Sequence, residues 1–417
     1  MPQVLQALAI WASFPVCAPT WAAGVRDKKI PCKDRLVPLA AKLESLRAAL
    51  SPLGLSAEDT FRRLLNDVAH ERARAFLTGI RAYHAHPARR TLTDGPVVWQ
   101  SGTTVVRDLG VTGAEQGTPI LLIPSLVNRS TILDLDDGAS FARFLAIKGF
   151  HPLIVDWGEP GPKERAFDLD DYVTRRLVPA LDFVTTRTGR PAHVLGYCLG
   201  GLLALALALL RPQAAASLVL MATPWDVPPE SAFADLTVQL EPYLEAAGVL
   251  PVDVLQSLFT RFQPTHVMTK FARFGTLDPA SPEARRFVLT EDWLNDGVPL
   301  TAPVTRTCFR DFYGRNFAAR GHWRVGGRVV DPHELTVPAY AVVPGKDRIV
   351  TPESALPLAR ALPHATLHEP MMGHIGLLTS LEAPHAVWTP LATWLQTQAV
   401  FPPTTSYGTR NPNHTAS

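Results

Sequence analysis

His193-Val194-Leu195-Gly196-Tyr197-Cys198-Leu199-Gly200-Gly201-Leu202 decides how the rest of this 417-residue chain reads. An apolar run enters a glycine-framed turn, and a helix-forming run follows as far as Leu210. Cys198 stands at the tip. A residue at the tip of a tight strand-to-helix turn takes a strained backbone conformation, and Gly196 and Gly200 leave room for the neighbouring strand and helix. The sulfur is expected at the C-terminal edge of a sheet, above a helix N-terminus, where a thiolate is favoured. Cysteine also serves as a small buried apolar residue. Its place at such a tip favours catalysis instead.

Outward from this turn, short apolar runs alternate with helical segments. Ile120–Ile123, Leu153–Asp156, His193–Tyr197, Ser217–Met221, Ala339–Val343 and Ala365–His368 are the expected strands. Helices are expected near 140–148, 171–187, 199–210, 354–361 and 384–398, with a kink at Pro179. Strands without polar alternation, separated by helices, predict a mostly parallel sheet covered on both faces. Val97–Gln100 and Thr103–Asp108 predict a hairpin turning at Ser101-Gly102. G-x-C-x-G-G on a strand–turn–helix is the nucleophile elbow of the α/β-hydrolase fold, with Cys in place of Ser. The expected organisation is a leader and helical arm over residues 1–90, a first core part over 91–226, and an inserted, mainly helical cap over 227–320. A second core part over 321–400 and a disordered tail over 401–417 complete it. In the arm, Leu64, Leu65, Val68, Phe76, Leu77 and Ile80 are expected to face a core.

Composition narrows the function classes. A chain with 47% apolar residues buries a large core, and a net charge of +2 gives no reason to expect nucleic acid. The charge is uneven, with 14 Lys/Arg against 7 Asp/Glu over residues 1–90. The four cysteines, Cys17, Cys32, Cys198 and Cys308, are scattered, so neither a disulfide framework nor a zinc site is expected. His84 and His86 lack a third ligand, and no metal is expected. Residues 4–24 are apolar and end in small residues like a secretory signal, but the first basic residue is Arg26, and Pro15 and Pro19 interrupt the run. A cytoplasmic location is expected, with export the minor alternative. No transmembrane segment is expected; the apolar run Leu202–Leu210 reads as a core helix.

A nucleophilic cysteine needs a base, and the base an orienting acid. In this fold their chain order is nucleophile, acid, histidine. Asp347 follows the strand at 339–343, within Pro344-Gly345-Lys346-Asp347-Arg348, and His374 follows the next strand, within Met372-Gly373-His374-Ile375-Gly376. Both fall on loops at the strand ends where open α/β sheets build active sites. For the oxyanion hole, the expected backbone donors are Leu199, after the nucleophile, and Val127, in the loop after the first parallel strand.

With these residues in place, the chain resembles the poly(3-hydroxyalkanoate) synthases, most closely the shorter catalytic subunits of the two-subunit type. Gly196–Gly201 is similar to their lipase-like box. Leu126-Val127-Asn128-Arg129 with Ile132-Leu133-Asp134-Leu135, Asp156-Trp157-Gly158, and Glu291-Asp292-Trp293-Leu294-Asn295-Asp296 resemble further family segments. Val325–Asp331 and Gly373–Gly376 do so as well, and the resemblance runs from about residue 70 to 398. It departs at Arg348, where family members often carry His. The resemblance implies a Cys198 acyl-thioester, an Asp347–His374 pair and (R)-3-hydroxyacyl-CoA, notably 3-hydroxybutyryl-CoA, as substrate, with coenzyme A released and no further cofactor. It makes Asn128, Asp156, Trp157 and Trp293 candidate substrate or cap residues. Partners it implies are the growing polyester and its granule surface, and a second copy or second synthase subunit. A hydrolase using the same triad (thioesterase, esterase or depolymerase) and a non-enzymatic granule-associated protein are the alternatives.

Overall fold

The structure, a computed structural model, describes residues 57–110, 116–227, 233–262 and 264–398 and a few positions between 45 and 53. The leader, most of the segment 38–50 and the tail from 401 lie outside the described residues, with the expectations made for them.

Eight strands form the main sheet: β1 (Val97–Ser101), β2 (Thr104–Asp108), β3 (Thr118–Ile123), β4 (Phe150–Asp156), β5 (Ala192–Tyr197), β6 (Ala215–Met221), β7 (Ala339–Val342) and β8 (Ala365–His368). Their order is β1-β2-β4-β3-β5-β6-β7-β8. The β1–β2 hairpin adds antiparallel to β4, and every other pair is parallel. Central strands β3, β5 and β6 are buried almost throughout, as unbroken apolar runs require when helices cover both faces. Registers Ile123↔Gly196, Tyr197↔Met221, Met221↔Val342 and Val342↔His368 align the C-terminal ends of β3, β5, β6, β7 and β8. The loops after these strands therefore open on one edge. β6 and β7 are neighbours, so the long excursion between them leaves the sheet and returns beside its starting strand.

The chain groups into two compact units, residues 90–252 with 289–417 and residues 1–89 with 253–288, so the stretch 227–320 contributes to both. In the first-mentioned unit the sheet core runs through Ile120, Leu122, Leu195, Tyr197, Val219 and Val342, against Phe141 and Trp388 from covering helices. Pro179 sits at the start of helix Val178–Thr188, directly after a wide π turn at Val173–Leu177. Proline has no N–H for the carbonyl four residues back. That carbonyl, on Arg175, accepts from the Arg176 guanidinium at 3.0 Å instead.

The other unit packs helix Ala57–Ala85 against Pro264–Phe274. Phe76, Val267 and Phe271 form its core, with Ile80 and Tyr83 beside them. A Cβ at Gly79 would overlap the Phe271 carbonyl, so this glycine permits the close crossing. Phe76 and Ile80 face a core as expected, whereas Leu64, Val68 and Leu77 are exposed. The partner helix covers the face carrying Phe76, Ile80 and Tyr83, and the other three lie off it; the Leu65 side chain is outside the described residues. His86 serves this unit's packing. Its Nδ1 accepts from the Ala88 N–H at 3.1 Å, which leaves Nε2 to donate to the Pro279 carbonyl at 2.8 Å.

Candidate active site

Cys198 sits between β5 and helix Leu199–Leu210 with φ 56° and ψ −127°. A non-glycine residue there carries roughly 1–3 kcal/mol of backbone strain, which the surroundings must hold. They do so by hydrogen bonds on both sides: Cys198 N–H to the Met221 carbonyl at 2.9 Å, and Gly201 N–H to the Cys198 carbonyl at 2.9 Å. The glycines are required by close approach. A Cβ on Gly196 would overlap the helix backbone at Gly200 and Gly201, and one on Gly200 would lie 2.5 Å from the Pro124 carbonyl oxygen.

Asp347 and His374 follow β7 and β8, and their loops are laced together. Gly345 N–H bonds to the Pro370 carbonyl and Lys346 N–H to that of Met372, each at 2.9 Å. Asp347 is buried, and its Oδ1 accepts the N–H groups of Ile349 at 2.8 Å and Val350 at 3.0 Å. Its Oδ2 accepts from His374 Nδ1 at 2.6 Å. That bond puts the proton on Nδ1 and leaves Nε2 for the cysteine. Burial works against a charged His374 ring. The Cys198 thiolate charge, hydrogen bonds to Asp347 and Cys198, and the Asp347 charge outweigh it and raise the ring from its ordinary 6.5 to about 10. The His374 ring is held charged at neutral pH between Cys198 and Asp347.

Tyr197, inside the quoted motif yet not singled out from sequence, supports this pair. Its hydroxyl donates to the His374 carbonyl at 3.2 Å, and its ring lies 5.2 Å from the imidazole, tilted by 37°. Burial, with the Cys198 and Asp347 charges, keeps the phenol protonated. Cys308 is a different kind of cysteine. Burial, then the nearby Cys198 and Asp311 charges, push its thiol up to about 12, so it stays neutral.

Leu199 is the first residue of the elbow helix, and a first-turn N–H has no acceptor within its own helix. The Val127 N–H is directed at Ser125 Oγ at 3.3 Å, the long end of the hydrogen-bond range, and so is only lightly held. The side-chain amide nitrogen of Asn128 is buried without an acceptor among the described residues. The other candidates from sequence are tied up in the fold. Asp156 accepts Arg107 Nε at 3.0 Å and the Gly158 N–H at 3.2 Å. Trp157 is buried, with its indole N–H on the Pro124 carbonyl at 3.2 Å. Trp293 is buried in the core cluster that Cys198 packs against, and its indole N–H reaches the Arg129 carbonyl at 2.7 Å. Asp134, a carboxylate within the resembling segment, is buried and bound by Arg143 and Ser140. Asp347 is the carboxylate on His374.

A family model described as alpha/beta hydrolase fold matches residues 118–381, from β3 through the His374 loop. The chain belongs to the alpha/beta hydrolase fold family. Among curated proteins it is similar to the poly(3-hydroxyalkanoate) polymerase subunit PhaC of Haloferax mediterranei, 29% identical over 68% of this chain and 59% of that protein. The namesake of Synechocystis sp. is 28% identical over 66% of this chain and 77% of its own length. That of Allochromatium vinosum is 27% identical over 67% and 81%. The match thus spans less than two thirds of the Haloferax protein's length. These relatives bear out the resemblance read from the motifs, and the fold is the one expected. No helix among the described residues is long and apolar enough to cross a membrane.

Proposed function

We propose that this alpha/beta hydrolase-fold protein is an acyltransferase that polymerises (R)-3-hydroxyacyl-CoA, with 3-hydroxybutyryl-CoA the probe of choice, through an acyl-thioester on Cys198. The observation that carries the reading is a cysteine, not a serine, at a strained elbow beside an Asp347-oriented His374. Similarity to the named polymerase subunits supports it. A Cys thioester is close in energy to the coenzyme A thioester, so acyl exchange keeps the transfer potential that a serine ester would lose.

In the first step the Cys198 thiolate attacks the thioester carbonyl. The Leu199 and Val127 N–H groups are the proposed donors to the oxyanion. As the carbon–sulfur bond to coenzyme A breaks, the His374 imidazolium gives its proton to the leaving thiolate. In the second step neutral His374 takes the proton of the 3-hydroxyl of an incoming hydroxyacyl-CoA. The oxygen attacks the Cys198 thioester, the ester forms, and the sulfur leaves as thiolate beside the regenerated imidazolium. The extended acyl-CoA then reloads Cys198. Asp347 keeps Nε2 facing the sulfur in both steps. Transfer must outrun hydrolysis, and the buried apolar cluster that Cys198 packs against, which includes Leu289, Trp293 and Met372, is suited to exclude water.

Incubation with (R)-3-hydroxybutyryl-CoA and analysis of both products tests the proposal. Insoluble polyester with coenzyme A release is expected; free 3-hydroxybutyrate alone would make the protein a hydrolase.

A further inference from the structure

The loop that offers Val127 to the oxyanion does not hold itself. Its own side-chain contact to that amide is the long bond to Ser125. Beside it, Leu126, Trp157, Val298 and Val304 line a small cavity. Residues 293–298, on the excursion between β6 and β7, fasten it instead. The Val298 N–H donates to the Val127 carbonyl at 2.9 Å. Asn128 and Gly297 form an antiparallel bridge. Trp293 donates its indole N–H to the Arg129 carbonyl at 2.7 Å. Arg129 Nε reaches Asp296 at 2.8 Å, and its Nη2 reaches Glu159 at 2.8 Å. Three consecutive residues are thus gripped through backbone or side chain. Of these contacts, the indole bond is the one that a single buried side chain supplies.

We infer that residues 293–298 act as a strap on the oxyanion loop, and that Trp293 is a positioning residue that sets the Val127 amide against the carbonyl of the acyl donor. This rests on the acyl-transfer reading of the site, yet it concerns the loop rather than the identity of the acyl group. An oxyanion donor acts only when aimed within a few tenths of an ångström of where the oxygen charge develops, and losing one costs about 10²–10³-fold in rate. Releasing the Arg129 carbonyl lets the amide drift without removing it, so the expected loss is smaller, at least about tenfold.

Two reagents separate positioning from general damage. p-Nitrophenyl acetate acylates a cysteine through a tetrahedral oxyanion, whatever the natural acyl group. Iodoacetamide alkylates a thiolate by displacement and needs no oxyanion hole. Trp293→Phe keeps an apolar ring and removes the donor. The expected result is a p-nitrophenol burst at least about tenfold slower than wild type, with the iodoacetamide rate and its pH profile unchanged. Asp296→Asn cuts only the exposed ion pair to Arg129 and should slow the burst a few-fold, again without touching alkylation. It carries the test if Trp293→Phe does not fold. A wild-type burst rate in the variant that folds overturns the inference, as does a parallel fall in burst and alkylation, or the absence of a Cys198-dependent burst in the wild type. Turnover of (R)-3-hydroxybutyryl-CoA, measured separately, shows whether the substrate reading stands.

Discussion

Replacing Asp347 by Asn changes one atom and should cost almost all of the acylation rate. The carboxylate has two separate duties in the structure. Oδ1 accepts two backbone N–H groups, from Ile349 and Val350, and Oδ2 accepts the His374 Nδ1–H. The Asn carbonyl oxygen will keep the two backbone bonds, because turning the amide would set its NH2 against two N–H donors. The NH2 is then forced onto His374 Nδ1, where only an unprotonated nitrogen can accept it. The imidazole proton moves to Nε2, the side facing Cys198, and the ring can no longer take the thiol proton. In a serine triad this tautomer error costs about 10⁴-fold with the geometry intact. A cysteine ionises more readily, so roughly 10³–10⁴-fold is expected for Cys198 acylation. Stability should fall by only about 1.5–3 kcal/mol, the range for one hydrogen bond to a charged group. Rapid-quench mass spectrometry reads acylation, and urea denaturation reads stability. Acylation within about tenfold of wild type, in a variant that unfolds normally, would refute the assignment of Asp347 as the orienting acid. Asp134 and Asp156 are no easy substitutes, since arginines already hold both carboxylates.

Two further outcomes follow from the same geometry. The His374 ring should titrate near 10, charged below and neutral above, and in Cys198→Ala its pKa should drop, because the thiolate charge is the leading contributor that raises it; nitrogen-labelled histidine spectra across pH measure this, and an unchanged value would mean the two side chains are not coupled. Gly200→Ala would place a methyl 2.5 Å from the Pro124 carbonyl oxygen, so backbone must shift, at a cost of about 1–3 kcal/mol in urea denaturation and with slower acylation; unaltered stability and rate would contradict the tight elbow.

The sheet was legible because its signal is local. Ile120–Ile123, His193–Tyr197 and Ser217–Met221 are runs with no polar alternation, and burial on both faces is the reason such runs survive. The Cys198, Asp347 and His374 positions were legible because a parallel sheet sends the loops after β5, β7 and β8 to one edge, whatever the intervening chain does. The exposure of Leu64 and Val68 was not, since helical periodicity marks a face without saying how far a partner helix covers it. Nor was the arrangement around Val127. Its amide was identified by place in the chain, whereas the bonds that hold it come from Ser125 on one side and from residues more than 160 positions later on the other. Trp293 illustrates the same limit. The motif marked it as a candidate for the substrate or cap, and only the fold shows its indole N–H on the Arg129 carbonyl. Tyr197 carried a usable signal, adjacency to Cys198, that the motif's glycines overshadowed.

The central claim is that Cys198 carries the acyl chain and passes it to a hydroxyl. Its most direct test is peptide-level mass spectrometry of protein quenched during turnover of (R)-3-hydroxybutyryl-CoA, for the wild type and Cys198→Ala. The account predicts 3-hydroxybutyryl units, including chains of more than one unit, on the peptide bearing Cys198, with none in the variant and none on Cys308. An adduct on another residue, turnover by Cys198→Ala, or a wild type that releases coenzyme A with no acylated Cys198 would contradict it.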